Sequence, residues 1–132
     1  MAKKTIKIVC ILLFVLLFFY TLFFYPEKLS SIIESHDNAY MMRIVQDGTY
    51  ENIDISENCE INLANMIDKL WCRKSEKITN FLAPGDLCLF YGQWCIVFTE
   101  KKSYLYSVSR NDYYQIIGNP KDLYCDVQSK IQ

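Results

Sequence analysis

The sequence predicts an α+β protein in which an N-terminal transmembrane helix precedes a small domain with one amphipathic helix and an antiparallel β-meander. Three observations support this fold class: an uncharged apolar run over residues 8–25, a helical repeat of apolar side chains over 63–71, and aromatic-rich segments separated by turns over 87–109. A chain of 132 residues allows one small folded domain. This size excludes a multidomain enzyme and a transporter with many spans.

The apolar run has the length and the flanking charges of a membrane anchor. As a helix from Thr5 to Tyr25 it spans about 31 Å, which matches the hydrocarbon core of a bilayer. A cleaved signal peptide is the alternative, but such a peptide ends in small residues, whereas this run ends in bulky aromatic ones. Lysines precede the run, so we expect residues 1–7 inside the cytoplasm or virion and a signal-anchor helix over 8–25.

The segment after the membrane predicts a juxtamembrane stalk helix over residues 26–40. Its apolar and aromatic side chains recur at helical spacing and share one face, which consists of Leu29, Ile32, Ile33, His36 and Tyr40. Residues 41–132 then form the predicted extracytoplasmic domain. Within it, segments 41–45 and 50–55 flank the turn signal Asp47-Gly48 and predict a β-hairpin.

The clearest soluble helix lies next along the chain. Its apolar face comprises Leu63, Met66, Ile67, Leu70 and Trp71. Either Ser56 or Asn62 is a suitable N-cap, and the polar run 73–77 is expected to end the helix.

The meander follows over residues 87–109 as three strands. A two-residue loop at Gly92-Gln93 would place Tyr91 opposite Trp94 and Phe90 opposite Cys95. Residues 113–117 predict a further strand, and the polar tail from residue 121 has no distinct pattern.

Cysteine content indicates an oxidising compartment. Close CxxC pairs are absent, so neither a zinc site nor a thioredoxin-type motif is expected, and disulfides are the leading interpretation; buried thiols are the alternative. Two bridges among five cysteines allow fifteen pairings, which the sequence leaves open. In the predicted register Cys88 and Cys95 are diagonal neighbours, so a bridge between them needs a bulge or a shifted register. The candidates are Cys59, Cys72, Cys88, Cys95 and Cys125, while Cys10 lies in the membrane helix as a lipid-facing or helix-packing thiol.

Charge and residue content argue against several function classes. Residues 26–132 carry eleven basic and fifteen acidic side chains, a net charge of −4, without a long basic run, so nucleic acid is not an expected partner. The only histidine, His36, has no visible catalytic partner, and no glycine-rich phosphate loop occurs. We therefore predict a protein that is not an enzyme, with no cofactor, no metal and no small-molecule substrate.

Aromatic side chains give the best functional indication. Tyrosine and tryptophan are enriched where proteins meet, because each offers a large contact area with a polar tip. The alternative is that about half of them simply form the core. The candidate partner-contact residues are Tyr91, Trp94, Tyr104, Tyr106, Tyr113 and Tyr114.

Two stretches resemble the small N-terminally anchored envelope proteins of large DNA viruses: FFYPEKLSSIIESHDNAYMMRIVQDG and FLAPGDLCLFYGQWCIVFTEKKSYLYSVSR. The resemblance is to the per os infectivity factors of baculovirus occlusion-derived virions and, as a second choice, to small subunits of the poxvirus entry–fusion complex. It implies a virion-envelope subunit of an entry complex that acts by contact with other membrane-anchored subunits. It transfers no functional residue to this chain, because no motif matches residue by residue.

Two other classes compete with a viral subunit. A bacterial membrane-anchored immunity or inhibitor protein, which blocks a toxin or hydrolase outside the cytoplasm, would have the same architecture. So would an extracytoplasmic sensor domain. A toxin gene beside the locus would favour the immunity protein, whereas presence in purified virions would favour the entry subunit.

Overall fold

The computed structural model describes residues 2–33, 40–45, 48–78, 82–107 and 109–131. An N-terminal apolar helix precedes a single antiparallel sheet with further helices, which confirms the predicted α+β class. In chain order the elements are α1 (Ala2–Phe24), β1 (Glu27–Lys28), α2 (Leu29–Ile32), β2 (Tyr40–Ile44), β3 (Tyr50–Ile53), α3 (Glu57–Asp68), β4 (Trp71–Ser75), β5 (Leu87–Tyr91), β6 (Trp94–Phe98), β7 (Ser103–Ser107), β8 (Asp112–Ile116) and α4 (Pro120–Ile131).

Helix α1 is long and apolar enough to cross a membrane. Within Ala2–Leu22 the most apolar window of 18 residues has a mean hydropathy of 2.5, and none of this window is buried against the rest of the protein. Along the helix, the hydroxyl of Thr21 donates to the carbonyl of Phe18 at 2.8 Å, so this polar group is satisfied within the helix itself.

The eight strands form one sheet in the order β1-β4-β8-β7-β6-β5-β2-β3, and every pair is antiparallel. Side chains alternate between its two faces. Helices α2, α3 and α4 pack on one face, which we call the inner face; the opposite face is the outer face. The inner face holds the main core, where Leu89, Ile96 and Leu105 stand opposite one another and are fully buried.

The predicted meander and its register are confirmed. Tyr91 pairs with Trp94 and Phe90 with Cys95 across a two-residue loop, as the sequence predicts. Gly92 has a φ of +57° in this loop, a conformation that glycine adopts without the steric cost of a Cβ. Strand β8 is the predicted fourth strand of the meander, and β2 and β3 are the predicted hairpin.

Helix α3 begins where the sequence predicts and ends earlier. The Ser56 side chain accepts a hydrogen bond from the backbone N–H of Cys59 at 3.2 Å, so Ser56 and not Asn62 is the N-cap. The predicted helical face is correct for Leu63, Met66 and Ile67, which are buried, but the helix ends at Asp68. The run 71–75 is strand β4 because it pairs with both β8 and β1, and this pairing outweighs the local helical period.

The stalk helix predicted over 26–40 is not formed as a continuous helix. Glu27–Lys28 is an edge strand, α2 is a single turn, and Tyr40 already belongs to β2. Leu29 is fully buried and its N–H donates to the carbonyl of Leu70 at 3.0 Å, so this segment belongs to the folded domain. Residues 34–39, which include His36, lie outside the described residues.

The polar tail forms α4, which the sequence left unassigned. Asn119 caps its start by accepting from the N–H of Lys121 at 3.0 Å, and Pro120 occupies the first helical position. Tyr124 and Val127 are buried in the inner core. The Tyr124 hydroxyl donates to the carbonyl of Gly85 at 2.6 Å, which fastens the helix to the turn before β5.

Candidate partner-binding face

The outer face carries four aromatic side chains and one cysteine in register across five neighbouring strands. Tyr40 lies opposite Phe90, Phe90 opposite Cys95, Cys95 opposite Tyr106, and Tyr106 opposite Tyr113. We call these five residues the aromatic row. Side chains at paired positions of an antiparallel sheet are close enough to contact one another, so the row is a continuous band across the sheet.

The rings of the aromatic row stack in two pairs. Tyr40 and Phe90 are nearly parallel, with centroids 4.6 Å apart and an interplanar angle of 9°. Tyr106 and Tyr113 have centroids 5.9 Å apart and an angle of 15°. Tyr40 is 50% exposed, whereas Phe90, Tyr106 and Tyr113 are half-buried. The row therefore presents ordered aromatic surface to its surroundings.

A buried cluster, which we call the outer cluster, packs beside the row on the same sheet face. It consists of Cys88, Val97, Tyr104 and Cys95, of which Cys95 is also the central member of the row. Ile78 and Leu82, from the segment between β4 and β5, pack against this cluster. Tyr104 is 5% exposed and its ring lies 6.1 Å from that of Tyr106, so the cluster and the row are in contact. The connecting segment thus shields one part of the outer face, and the row is left beside it.

All six cysteines lie in described parts of the chain and all are free thiols, so the predicted disulfides are not formed in this structure. Cys88 lies opposite Val97 and Cys95 opposite Phe90, which makes the two cysteines diagonal neighbours, as the sequence predicts. Diagonal neighbours ordinarily have their Cβ atoms farther apart than the roughly 4 Å that a disulfide needs.

The two thiols nevertheless interact. A hydrogen bond from the Cys95 thiol lowers the pKa of Cys88. The same hydrogen bond, together with burial, raises the pKa of Cys95. Tyr106 also hydrogen-bonds Cys95, and burial raises the pKa of the Tyr106 hydroxyl. Outside strong base, Cys95 and Tyr106 therefore keep their protons and act as neutral hydrogen-bonding groups.

The remaining cysteines lie apart from this face. Cys72 is buried on the inner face, where desolvation and the neighbouring carboxylate of Glu27 raise its pKa to about 12. Cys59 is half-buried on α3, Cys125 is exposed on α4, and Cys10 is exposed on α1. The predicted disulfide candidates are thus distributed over both sheet faces and two helices.

Burial divides the six predicted partner-contact residues. Tyr91 and Trp94 are 2% and 6% exposed in the inner core, and Tyr114 packs there edge-on against Trp94, with ring centroids 6.0 Å apart. Tyr104 is buried in the outer cluster. Tyr106 and Tyr113 combine exposed surface with a position in the aromatic row.

Sequence reasoning missed two members of the row. The helical spacing of Tyr40 from Leu29 and Ile33 groups it with the predicted stalk helix, and the pattern around Phe90 predicts a strand but no contact role. The predicted hairpin register already places Phe90 and Cys95 on one face with Tyr106, so alternation along the meander is the signal that could have found Phe90.

A polar cleft elsewhere on the molecule is built from turn-stabilising contacts. This cleft of about 420 Å³ lies between turns 83–86 and 99–102 and α4. The Asp86 carboxylate accepts from the N–H of Ala83 at 2.6 Å, and burial raises its pKa. Thr99 accepts from the N–H of Lys102 at 2.8 Å. Both side chains thus hold the turns that bear them, and in the described residues no group of three metal-binding side chains occurs.

Comparison with known proteins identifies no relative: no protein-family model, no curated protein and no solved structure matches this chain.

Proposed function

We propose that this chain is a non-enzymatic type II membrane protein whose extracytoplasmic domain binds another protein through the aromatic row. The observation that carries the proposal is the row itself: two stacked pairs of partly exposed aromatic side chains on four strands, in register with Cys95 on the strand between them. In this proposal α1 is the membrane anchor, and the lysines at positions 3, 4 and 7 hold the N-terminus inside.

The composition of the outer face supports a contact role. An antiparallel sheet with one solvated face ordinarily alternates apolar and polar side chains, so that the solvated face is polar. Here the outer face carries Tyr40, Phe90, Tyr106 and Tyr113 among its partly exposed side chains, beside polar ones such as Gln115. Tyrosine side chains that are already stacked lose little rotamer freedom on binding, which makes them effective interface anchors.

The proposed setting is a virion envelope, where the protein would act as a subunit of an entry complex alongside other membrane-anchored subunits. This setting follows from the resemblance and stays a prediction. It requires the protein to co-purify with virion envelopes, and it requires deletion of the gene to block entry without blocking particle assembly. Purified virions that lack the protein would contradict it.

The contact role is tested by site-specific photo-crosslinking of the full-length chain in its native membranes. A photoreactive phenylalanine analogue replaces Tyr113 in the aromatic row, and in a matched variant it replaces Ser129, which is exposed on the helix layer. We expect a defined protein adduct from position 113 and none from position 129.

The adduct partner is then produced and its affinity for the reconstituted full-length chain is measured. Combined substitution of Tyr106→Ser and Tyr113→Ser should weaken binding by at least about tenfold. Tyr50→Ser serves as the control, because Tyr50 is an exposed tyrosine outside the row. Equal binding by all variants, or equal adducts from positions 113 and 129, would contradict the proposal.

A further inference from the structure

A second exposed apolar group lies on the outer face at the corner of the sheet beside α1. Lys28 pairs with Trp71, and the N–H of Ile117 donates to the carbonyl of Trp71 at 2.8 Å, so the three residues adjoin one another across β1, β4 and the end of β8. Trp71 is 44% exposed and Ile117 37% exposed. We call these residues the Trp71 corner. Its large apolar surface belongs neither to the aromatic row nor to the core.

The sequence around Trp71 is basic, although the domain as a whole is acidic. Residues 69–77 contain four basic side chains and one acidic one, a net charge of +3, within a region 26–132 whose net charge is −4. Lys69 and Lys77 are exposed, and Arg73 lies on the same sheet face as Trp71, whereas Lys74 lies on the inner face. The Lys28 ammonium lies 5.6 Å from the centroid of the Trp71 ring, so a cation and an indole adjoin at the centre of the corner.

Chain connectivity holds the corner close to the end of α1. Two residues, Tyr25 and Pro26, separate the last residue of α1 from the first of β1, so Glu27 is at most about 10 Å from Phe24. Helix α1 also contacts β4. When α1 spans a bilayer, β1 and the paired start of β4 at Trp71 and Cys72 therefore lie in or next to the headgroup layer, which is about 5–8 Å thick on each side.

We propose that the Trp71 corner lies on the anionic phospholipid surface of the leaflet from which α1 emerges. Indole rings partition to the membrane interface because one part of the ring is apolar and its N–H is polar. The cations of residues 69–77 attract anionic headgroups. This contact gives the domain a fixed orientation on the membrane. It rests on the membrane anchor of the proposed function and is independent of partner binding.

The test uses the two tryptophans of the chain as separate reporters. Full-length Trp94→Phe, which retains only Trp71, and Trp71→Phe, which retains only Trp94, are reconstituted into vesicles of phosphatidylcholine, with or without phosphatidylglycerol. Some of the phosphatidylcholine carries bromine near the top of its acyl chains and quenches nearby indoles. We expect Trp71 emission to fall about twofold in the anionic vesicles, while emission of the buried Trp94 is unchanged.

A charge variant tests the electrostatic part. Arg73→Glu combined with Lys77→Glu should reduce the quenching of Trp71 in anionic vesicles, because Arg73 lies on the same sheet face as Trp71. Lys101→Glu combined with Lys102→Glu, at exposed positions in the turn after β6, should leave the quenching unchanged. If Trp94→Phe fails to fold, the wild-type chain compared with Trp71→Phe provides the same contrast.

The inference is overturned if Trp71 in reconstituted protein is insensitive to the bromolipid and remains open to aqueous iodide, or if quenching is equal with and without phosphatidylglycerol. Resistance of the protein to alkaline carbonate extraction is measured in parallel. A chain that is extracted has no membrane anchor and contradicts the proposed function, whereas a retained chain with unquenched Trp71 contradicts only this inference.

Discussion

The two tryptophans have the same chemistry and different environments. Trp94 is 6% exposed in the inner core and packs against Tyr114, whereas Trp71 is 44% exposed at the sheet corner. A buried indole contributes through the apolar area that it removes from water and through the cavity that its loss would leave. An exposed indole contributes little to stability and is available for contact. Burial, and not residue type, therefore separates the aromatic residues of the core from those available for contact.

Trp94→Ala should lower the free energy of unfolding by about 3–5 kcal/mol, because it opens a cavity in the inner core. Trp71→Ala is the matched control and should cost about 1 kcal/mol or less. Denaturant unfolding of the full-length chain in detergent micelles, followed by far-UV circular dichroism, measures both. Equal destabilisation by the two variants would show that Trp94 is not buried in the inner core.

Thiol reactivity should follow burial in the same way. In the fully reduced chain, maleimide should modify exposed Cys125 rapidly, and Cys72, Cys88 and Cys95 only after unfolding. Cys72 is doubly protected, since its pKa of about 12 leaves almost no thiolate at neutral pH. Peptide mapping by mass spectrometry gives the rate at each site, and Cys125→Ser identifies the fast phase. Modification of Cys72 as fast as Cys125 in the native state would contradict the structure.

The elements that the sequence predicts correctly are those whose signals are local. The meander depends on strands that adjoin in the chain and on a two-residue loop, and the start of α3 depends on a side chain three residues from its hydrogen-bond donor. Strand β4 is different, because its partners are β8, about forty residues later, and β1, about forty residues earlier. Helical spacing of Trp71 with Ile67 therefore gave the wrong assignment there.

The residues of the candidate site also differ in whether local sequence signals predict them. Tyr106 and Tyr113 are predicted from composition, but Tyr40 joins the row only through the pairing of β2 with β5, which lie far apart in the chain. Which tyrosines are core and which are surface depends on which sheet face the helices cover. The alternation of a strand gives two faces without saying which one is covered, so the sequence left Tyr91 and Tyr106 in one group.

Helix α4 should depend on one hydrogen bond at its contact with the turn before β5. Tyr124→Phe removes the hydroxyl that donates to Gly85 and leaves a carbonyl partly buried, at a cost of about 1–2 kcal/mol. Tyr50→Phe is the control, because Tyr50 is 58% exposed on the edge strand, and it should change stability by less than about 0.5 kcal/mol. Denaturant unfolding compares them. An unchanged midpoint for Tyr124→Phe would show that α4 is held by apolar contacts alone.

At the scale of the whole molecule, one sheet places phenols and thiols from distant segments into two low-dielectric layers. Burial raises the pKa of tyrosines in both: Tyr91 and Tyr114 on the inner face, Tyr104 and Tyr106 on the outer face. Tyr124, on the helix layer, shifts in the same direction. These groups are neutral when protonated, and burial in the folded protein favours this protonated form. Their shared shift makes the stability of the fold dependent on pH in the alkaline range.

The sign of this dependence follows from proton binding. An unfolded tyrosine ionises near pH 10, whereas Tyr104 in the folded protein has a pKa of about 12, so above pH 10 the folded state binds more protons than the unfolded state. The stabilisation is complete below about pH 10 and is lost as the pH rises through the folded pKa. Cys88 acts in the opposite direction, because its pKa is lowered, but it is a single group against several.

We therefore expect the full-length chain in detergent to unfold cooperatively between about pH 10 and 12, with tyrosinate absorbance and loss of circular dichroism rising together. Tyr104→Phe removes one group with a raised pKa. Once any change in stability at neutral pH is allowed for, the pH at which half of the protein is unfolded should be higher for this variant than for the wild type. Tyr50→Phe, at an exposed site, should leave the midpoint unchanged. If all ten tyrosines titrate near pH 10 while the fold persists, the phenols are solvated. The two buried layers would then not exclude water, because a hydrated phenol ionises at its ordinary pKa without unfolding the sheet.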